Sequence, residues 1–291
     1  MRYQQSKSAQ FLIAFFMGVF ILALPFSYAL FKFSANKKGI EPVEERFYPQ
    51  ITDALSLITA VKNRANDPPM CFVIADIDPY GNEISFAVLP PETLVEDGGS
   101  FHLAGEVWDK EGAKRGAQAL SSAAGIENSR WLELDSEAVI KLGEVLGAID
   151  FTLDEEISID GGLMVLSEDR QLIDGTKAVL LMNYNGYTQG ENSRLDMIGE
   201  LLYQTISQRV PLMNDALLIR LFETAVNNGF SDMTIGDFEA RRRSFNHMLT
   251  NDFEVERIKI TGEYSGEKNT FFLSAESIEK LIDEFSDRSE L

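Results

Sequence analysis

Residues 72–93 limit the fold more than any other stretch. Phe72 to Ile77 is an apolar run, Asp78-Pro79-Tyr80-Gly81-Asn82 follows it, and a second apolar run covers Ile84 to Leu89. Two short apolar runs about a Pro/Gly/Asn cluster predict two buried strands joined by a tight turn. Pro90-Pro91 ends the second strand, because proline fixes φ and offers no N–H to a ladder. Glu92 and Thr93 then stand at a strand tip, where α/β folds place their chemistry.

The rest of the chain alternates in period. Ile51, Leu55, Ile58 and Val61 are at helical spacing, so a helix is expected over Tyr48 to Lys62, with a break at Asn66-Asp67-Pro68-Pro69. A loop is expected over Glu96 to Ser100, a helix over Ala113 to Ala124 ended by Gly125, and a strand over Ser129 to Leu134. Ser136 to Gly147 is an amphipathic helix with Ser136 as its N-cap, and Ile149 to Leu153 returns as a strand. Asp174 to Asn185 fits helix or strand. Helices follow over Arg194 to Gln208, Asn214 to Asn227 and Thr234 to Leu249, with Pro211 interrupting. Two strands, Phe253 to Tyr264 and Asn269 to Leu273, and a helix, Glu276 to Phe285, close the chain. Interleaved strands and helices predict one mixed α/β domain over residues 51–291, a central mixed sheet flanked by helices.

Phe11 to Phe31 carries no charge over 21 residues. At about 1.5 Å per residue it spans a hydrocarbon core of about 30 Å. A cleaved signal peptide is the alternative. The length of the run, and the lack of a clear small-x-small cleavage site before Lys32, favour an uncleaved anchor. The expected layout is a cytoplasmic N-terminus (1–10), an anchor (11–31), a stalk (32–50) and an extracytoplasmic domain (51–291). Basic residues flank the anchor on both sides, so orientation rests on the bulky acidic part that follows. Residues 1–38 hold five of the 26 basic residues and no acid, which leaves 21 basic and 46 acidic residues beyond them, a net of −25. Such a domain repels nucleic acid and anionic lipid surfaces.

The one cysteine, Cys71, cannot form an internal disulfide and reads as a buried thiol. His102 and His247 have no neighbours at zinc-ligand spacing.

The strand–turn–strand unit and its Pro90-Pro91-Glu92-Thr93 ending resemble the LytR-CpsA-Psr family of cell-envelope phosphotransferases, where an Ile-Asp-Pro turn and a Pro-Arg-Asp-Thr motif occupy these places. Further landmarks run in the family's order. Ser129 to Asp150 resembles its strand, helix and Leu-Gly-Gly-Val-Asp element. Leu172 to Asn185 resembles its Leu-Asp-Gly…Arg-Tyr-Arg element, and Glu191 to Ile198 its Asp-x-Gly-Arg-x-x-Arg element. Residues 66–290 are covered.

The resemblance implies a three-layer α-β-α domain behind one membrane anchor. It implies transfer of a polyprenyl-pyrophosphate-linked glycopolymer to peptidoglycan, with Mg²⁺ if active. Partners would be the membrane, a polyprenyl-phosphate lipid or wall glycopolymer, and proteins of envelope assembly, with no nucleic acid. Arginines and a metal would stabilise the charge that develops on the pyrophosphate.

Position by position, most of that apparatus is replaced. The metal-binding acid of the family's Arg-Ser-Asp-Thr falls on Met70, and a gap that moves Asp67 into the role meets Pro68-Pro69. The arginine of Pro-Arg-Asp-Thr falls on Pro91 and its acid on Glu92. The arginines of Arg-Tyr-Arg fall on Asn183 and Asn185. The later pair falls on Arg194 and Met197. Glu92 and Arg194 are therefore the candidate catalytic residues, Thr93, Asn183 and Asn185 the candidate ligand contacts, and Glu92 the candidate Mg²⁺ ligand. Each lost charge-assisted hydrogen bond removes about 1.5–3 kcal/mol. Rate falls tenfold for about every 1.36 kcal/mol, so the expectation is a degenerate, inactive or weak relative. An active enzyme with a rebuilt site and a non-catalytic interaction module are the alternatives.

Other signals have plainer readings. Asp76 to Ala87 begins like a calcium loop but has Ala87 where a bidentate Glu is required, so a hairpin turn is expected. Arg241-Arg242-Arg243 reads as a solvated face paired with local acids. Trp131 reads as core, and Trp108 fits core or a sugar-lining position equally.

Overall fold

The computed structural model of the protein describes residues 47–126, 129–159, 162, 164–266 and 269–286. The expected anchor at 11–31 and most of the stalk lie outside the described residues. Among the described residues no helix is long and apolar enough to cross a membrane.

The chain runs β1 (Leu55–Lys62), β2 (Pro69–Asp78), β3 (Glu83–Leu89), β4 (Leu94–Asp97), β5 (Ser100–Leu103), α1 (Ala104–Glu111), α2 (Ala113–Ala123), β6 (Ser129–Leu134), α3 (Ser136–Leu146) and β7 (Ile149–Thr152). It continues with β8 (Ile157–Ile159), β9 (Met164–Leu166), β10 (Arg170–Ile173), α4 (Gly175–Asn183), α5 (Glu191–Arg209), α6 (Asp215–Asn228) and β11 (Phe230–Ser231). It ends with α7 (Ile235–Leu249), β12 (Glu254–Ile258), β13 (Gly262–Ser265), β14 (Thr270–Leu273) and α8 (Ala275–Ser286).

Six strands form the central sheet in the order β11-β6-β1-β2-β3-β12. The pairs β1/β2, β2/β3 and β6/β11 are antiparallel, and β1/β6 and β3/β12 are parallel, so the sheet is mixed as expected. Side chains alternate between its faces. On one face Ile58, Phe72, Ile74 and Leu89 pack with Trp108 of α1, Leu120 of α2 and Leu281 of α8. On the other Val61, Cys71, Phe86 and Val88 pack with Leu181 of α4 and Ile198 and Leu201 of α5. Leu132 and Leu134 of β6 extend that second layer with Ala138 of α3 and Ala225 of α6. Helices therefore cover both faces, which gives the three-layer arrangement.

Four expectations need correction. The helix expected over Tyr48 to Lys62 is a short 3-10 turn, Ile51–Asp53, followed by β1. The apolar residues of Leu55–Lys62 also suit a strand buried on both faces, and pairing with β2 and β6 decides the outcome. The cap of α3 is Asp135, which accepts from the Ala138 N–H, and not Ser136. The loop expected at 96–100 is the turn of the β4/β5 hairpin, with Gly98 and Gly99 at positive φ. The strand expected over Phe253 to Tyr264 breaks between β12 and β13. There the Thr261 N–H donates to Ser277 Oγ at 2.8 Å and its carbonyl accepts from the Ser274 N–H at 2.9 Å, so the start of α8 takes groups a ladder would use.

The turn at 78–82 is a hairpin, with Asp78 accepting from the Tyr80 N–H at 2.9 Å. Trp108 is core, 2 % exposed, and donates to Glu133 at 2.8 Å. Arg242 pairs with Asp215 and Glu239. Arg241 donates to the carbonyls of Ala54 and Asp237.

Candidate functional site

The strand tip is pinned from two sides. The Gly105 and Ala104 N–H groups at the start of α1 donate to the carbonyls of Pro91 and Thr93, each at 2.8 Å. From the other side the Phe271 N–H of β14 donates to the Glu92 carbonyl at 2.9 Å. Pro90-Pro91 therefore stops β3 and also fixes the backbone that presents Glu92. Thr93 is fully buried, and its hydroxyl donates to the Pro90 carbonyl at 2.7 Å. In this arrangement its side chain closes the turn.

Arg194 lies on the first turn of α5, and 7 % of it is exposed. Its guanidinium donates to Glu191, to the Met182 carbonyl at 3.0 Å and to the Met70 carbonyl at 2.9 Å. It thus joins α5 to β2 and to the end of α4. The positions that the family resemblance picks out do converge here: Met70, Arg194 and the end of α4 that carries Asn183. Their chemistry differs from the family's. Met70 offers a carbonyl in place of a carboxylate, and the guanidinium is already engaged. Asn183 is half-buried and donates to the Val179 carbonyl at 3.0 Å, one turn back. Asn185 is exposed. Met197 is buried in the core.

Glu92 and Tyr264 carry the orphaned polar atoms of the site. Glu92 Oε2 and the Tyr264 hydroxyl are both buried and have no hydrogen-bond partner among the described residues. Burial raises the Glu92 carboxyl above the usual carboxylate range. The charge of Glu191 adds to this and Arg194 opposes it. Burial also raises the Tyr264 phenol, with Glu191 and Glu92 adding to the rise. Cys71 has no exposed surface, and burial pushes its thiol up to about 12, which makes it inert.

The donor set for Mg²⁺ is not assembled. Among the described residues no three His, Cys, Asp or Glu side chains are placed to hold a metal. Glu92 has one unengaged oxygen, Glu191 is bound to Arg194, and the third position is Met70.

Beside this cluster lies a cavity of about 350 Å³, between the start of α5 and the break after β12. Pro90 and Phe271, which flank and pin the Glu92 tip, are in its wall, and so are Arg257 and Lys259 of the β12 segment. The sequence reading missed Glu191, Tyr264, Arg257 and Lys259. Glu191 was within reach of sequence, since residues three apart on a helix meet. The other three come from a distant part of the chain.

No family model matches the sequence, and no curated protein matches it. Solved structures do match. A protein from Eubacterium siraeum described as a transcription regulator superposes with a TM-score of 0.75 at 14 % identity, over 84 % of this chain and 96 % of that one. TagV of B. subtilis gives 0.65 at 15 % identity, over 81 % of this chain and 97 % of its own. B. subtilis TagT bound to LIIa-WTA gives 0.65 at 14 % identity, over 87 % and 98 %. TagT and TagV are LytR-CpsA-Psr proteins, so the resemblance read from scattered landmarks holds for the whole domain as a shape. This chain has the LytR-CpsA-Psr fold.

Proposed function

We propose that the chain is a membrane-anchored, extracytoplasmic LytR-CpsA-Psr-like protein of cell-envelope assembly, one that binds a polyprenyl-linked or glycopolymer ligand and is inactive or weak as a phosphotransferase. The observation that carries this reading is the state of Arg194. The one cation that remains from the family's set spends its donors on Glu191 and on two backbone carbonyls. A pyrophosphate gains little from a guanidinium whose charge is already matched. The cation that acts on Glu92 is Arg194, which is already engaged, and burial favours the neutral form of Glu92. The ligand found with TagT supports a glycopolymer or its lipid carrier as the class bound. The name transcription regulator, given to one structural relative, fits this chain poorly, because its net charge of −20 opposes nucleic acid.

The test is a thermal-shift titration of the full chain in detergent with a soluble short-chain polyprenyl pyrophosphate, with and without Mg²⁺. A ligand of the folded state raises the melting temperature by mass action. The reading expects a rise with no turnover. No shift at saturating ligand would refute the ligand-binding half, and turnover abolished by Glu92→Gln would refute the weak-enzyme half.

A further inference from the structure

The backbone brings Glu92 and Tyr264 together. The Phe271 N–H donates to the Glu92 carbonyl, and Thr93 bridges to Phe271. Phe271 in turn stands opposite Tyr264 in the β13/β14 register, with the two ring centroids 4.8 Å apart. Two buried polar atoms are therefore held beside one backbone anchor, Glu92 Oε2 and the Tyr264 hydroxyl, and neither has a hydrogen-bond partner among the described residues. A single buried polar atom left unpaired costs about 1–3 kcal/mol. Two at one place mark a position that a polar group from outside the chain can fill.

The surrounding charges decide the sign of that group. The charged residues that act on Glu92 are Glu191 and Arg194, and these two are closed on each other. In the wall of the neighbouring cavity Arg257 and Lys259 meet Asp196, and Arg257 also meets Glu200. With those charges matched, the carboxylate of Glu92 is the one that lacks a counter-charge. An anion would meet that carboxylate with the fork of Arg194 already filled. A neutral hydroxyl brings one donor to two acceptors. An ammonium brings three donors and the counter-charge whose lack makes a buried carboxylate costly. The faces of Tyr264 and Phe271 add a further attraction for a cation.

We propose that Glu92 and Tyr264 form a binding site for a primary ammonium group, which donates to the carboxylate and to the phenol oxygen. The inference goes beyond the envelope reading, because it reverses the sign of what this strand tip recognises. Where the family resemblance implies arginines, the chain has Pro91, Asn183 and Asn185, and its remaining Arg194 is matched by Glu191, while Glu92 stays acidic. Those exchanges turn a place for an anion into a place for a cation, in a domain whose overall negative charge draws cations toward it.

Titration calorimetry of the full chain in a neutral detergent tests it, with n-butylamine, n-butanol and butyrate as probes that share a carbon chain and differ in charge. n-Butylamine is expected to bind most tightly. Glu92→Gln keeps the shape of the side chain and removes its charge, and it is expected to weaken n-butylamine by about tenfold or more, the loss of one charge-assisted hydrogen bond. Tyr264→Phe removes the second acceptor and is expected to weaken n-butylamine by about threefold. Glu191→Ala leaves the charge of Arg194 unmatched beside the site and is expected to weaken n-butylamine, opposite in sign to its effect on a pyrophosphate. No heat with n-butylamine, equal binding of n-butanol or butyrate, or an unchanged affinity in Glu92→Gln would each overturn the proposal. A second titration, with short-chain polyprenyl pyrophosphate, separates the two readings. Binding of that lipid with no binding of n-butylamine overturns this inference and leaves the envelope reading standing. n-Butylamine bound through Glu92, with no binding of the polyprenyl ligand, does the reverse.

Discussion

Arg194 and Glu191 close on each other across the first turn of α5, with the guanidinium Nε donating to one carboxylate oxygen at 2.8 Å and Nη2 to the other. The carboxylate occupies the fork that a phosphate would take. Whatever anion reaches this site must displace an intramolecular partner that is always present.

Removing that competitor is therefore expected to improve phosphate binding. Glu191→Ala frees two donors of Arg194, and affinity for a short-chain polyprenyl pyrophosphate should rise by about tenfold, equivalent to about 1.4 kcal/mol. The same change should lower the stability of the free protein by about 1–3 kcal/mol, because a largely buried cation loses its partner. Calorimetric titration and urea unfolding read the two effects. An unchanged affinity would mean that Arg194 does not meet the ligand.

Arg194 itself is expected to matter for stability. Arg194→Met strands the carbonyls of Met70 and Met182 together with the Glu191 carboxylate, and about 3–5 kcal/mol should be lost, the cost of breaking a buried pair by removing one member. The Glu191→Ala/Arg194→Met double variant should lose less than the two single changes combined, since the partners touch. A loss below about 0.5 kcal/mol in urea unfolding would place the pair among ordinary surface contacts.

Glu92 predicts a pH dependence with a definite sign. Burial raises its carboxyl in the folded state, so the folded protein favours the proton more than the unfolded chain does. Its contribution to stability is fully present below the unfolded value and is lost as pH rises through the folded one. Glu92→Gln mimics the neutral form. The variant should be more stable than the wild type at pH 7, with the gap closing toward pH 4. A gap that stays constant over that range in denaturant unfolding would contradict the assignment.

Much of the fold was legible in the chain, and the exceptions share a cause. β2, the hairpin at 78–82 and β3 follow from apolar runs bounded by Pro, Gly and Asn, and α6 and α7 fall where helices are expected, with Asn214 and Thr234 found as their caps. β1 was misread because its neighbours in the sheet, and not its own spacing, decide its form. The break after β12 was invisible because the groups that hold it, Ser274 and Ser277, come from α8. The site divides in the same way. Glu92 and Arg194 could be marked from motif positions. That Arg194 is already bound, that Tyr264 stands near Glu92, and that Lys259 reaches a cavity beside them all depend on contacts between distant segments.

The junction of α1 and α2 offers an independent check on the core. A Cβ on Gly116 would stand 2.7 Å from Cε3 and 2.8 Å from Cα of Trp108, which is itself held by Glu133. Gly116→Ala should therefore cost about 1–3 kcal/mol through overpacking, and it should leave ligand affinity unchanged. A neutral effect in thermal unfolding would mean that the two helices can slide apart freely.

The chain has the LytR-CpsA-Psr fold, and we propose that its transfer chemistry is weak or lost. The most direct test is a transfer assay: full-length protein, Mg²⁺, a labelled polyprenyl-pyrophosphate-linked glycopolymer and peptidoglycan, run beside a transferase known to be active. The account predicts that the labelled substrate binds and that little or no label reaches peptidoglycan. Transfer at the rate of the active control, lost in Arg194→Met and in Glu92→Gln, would contradict it.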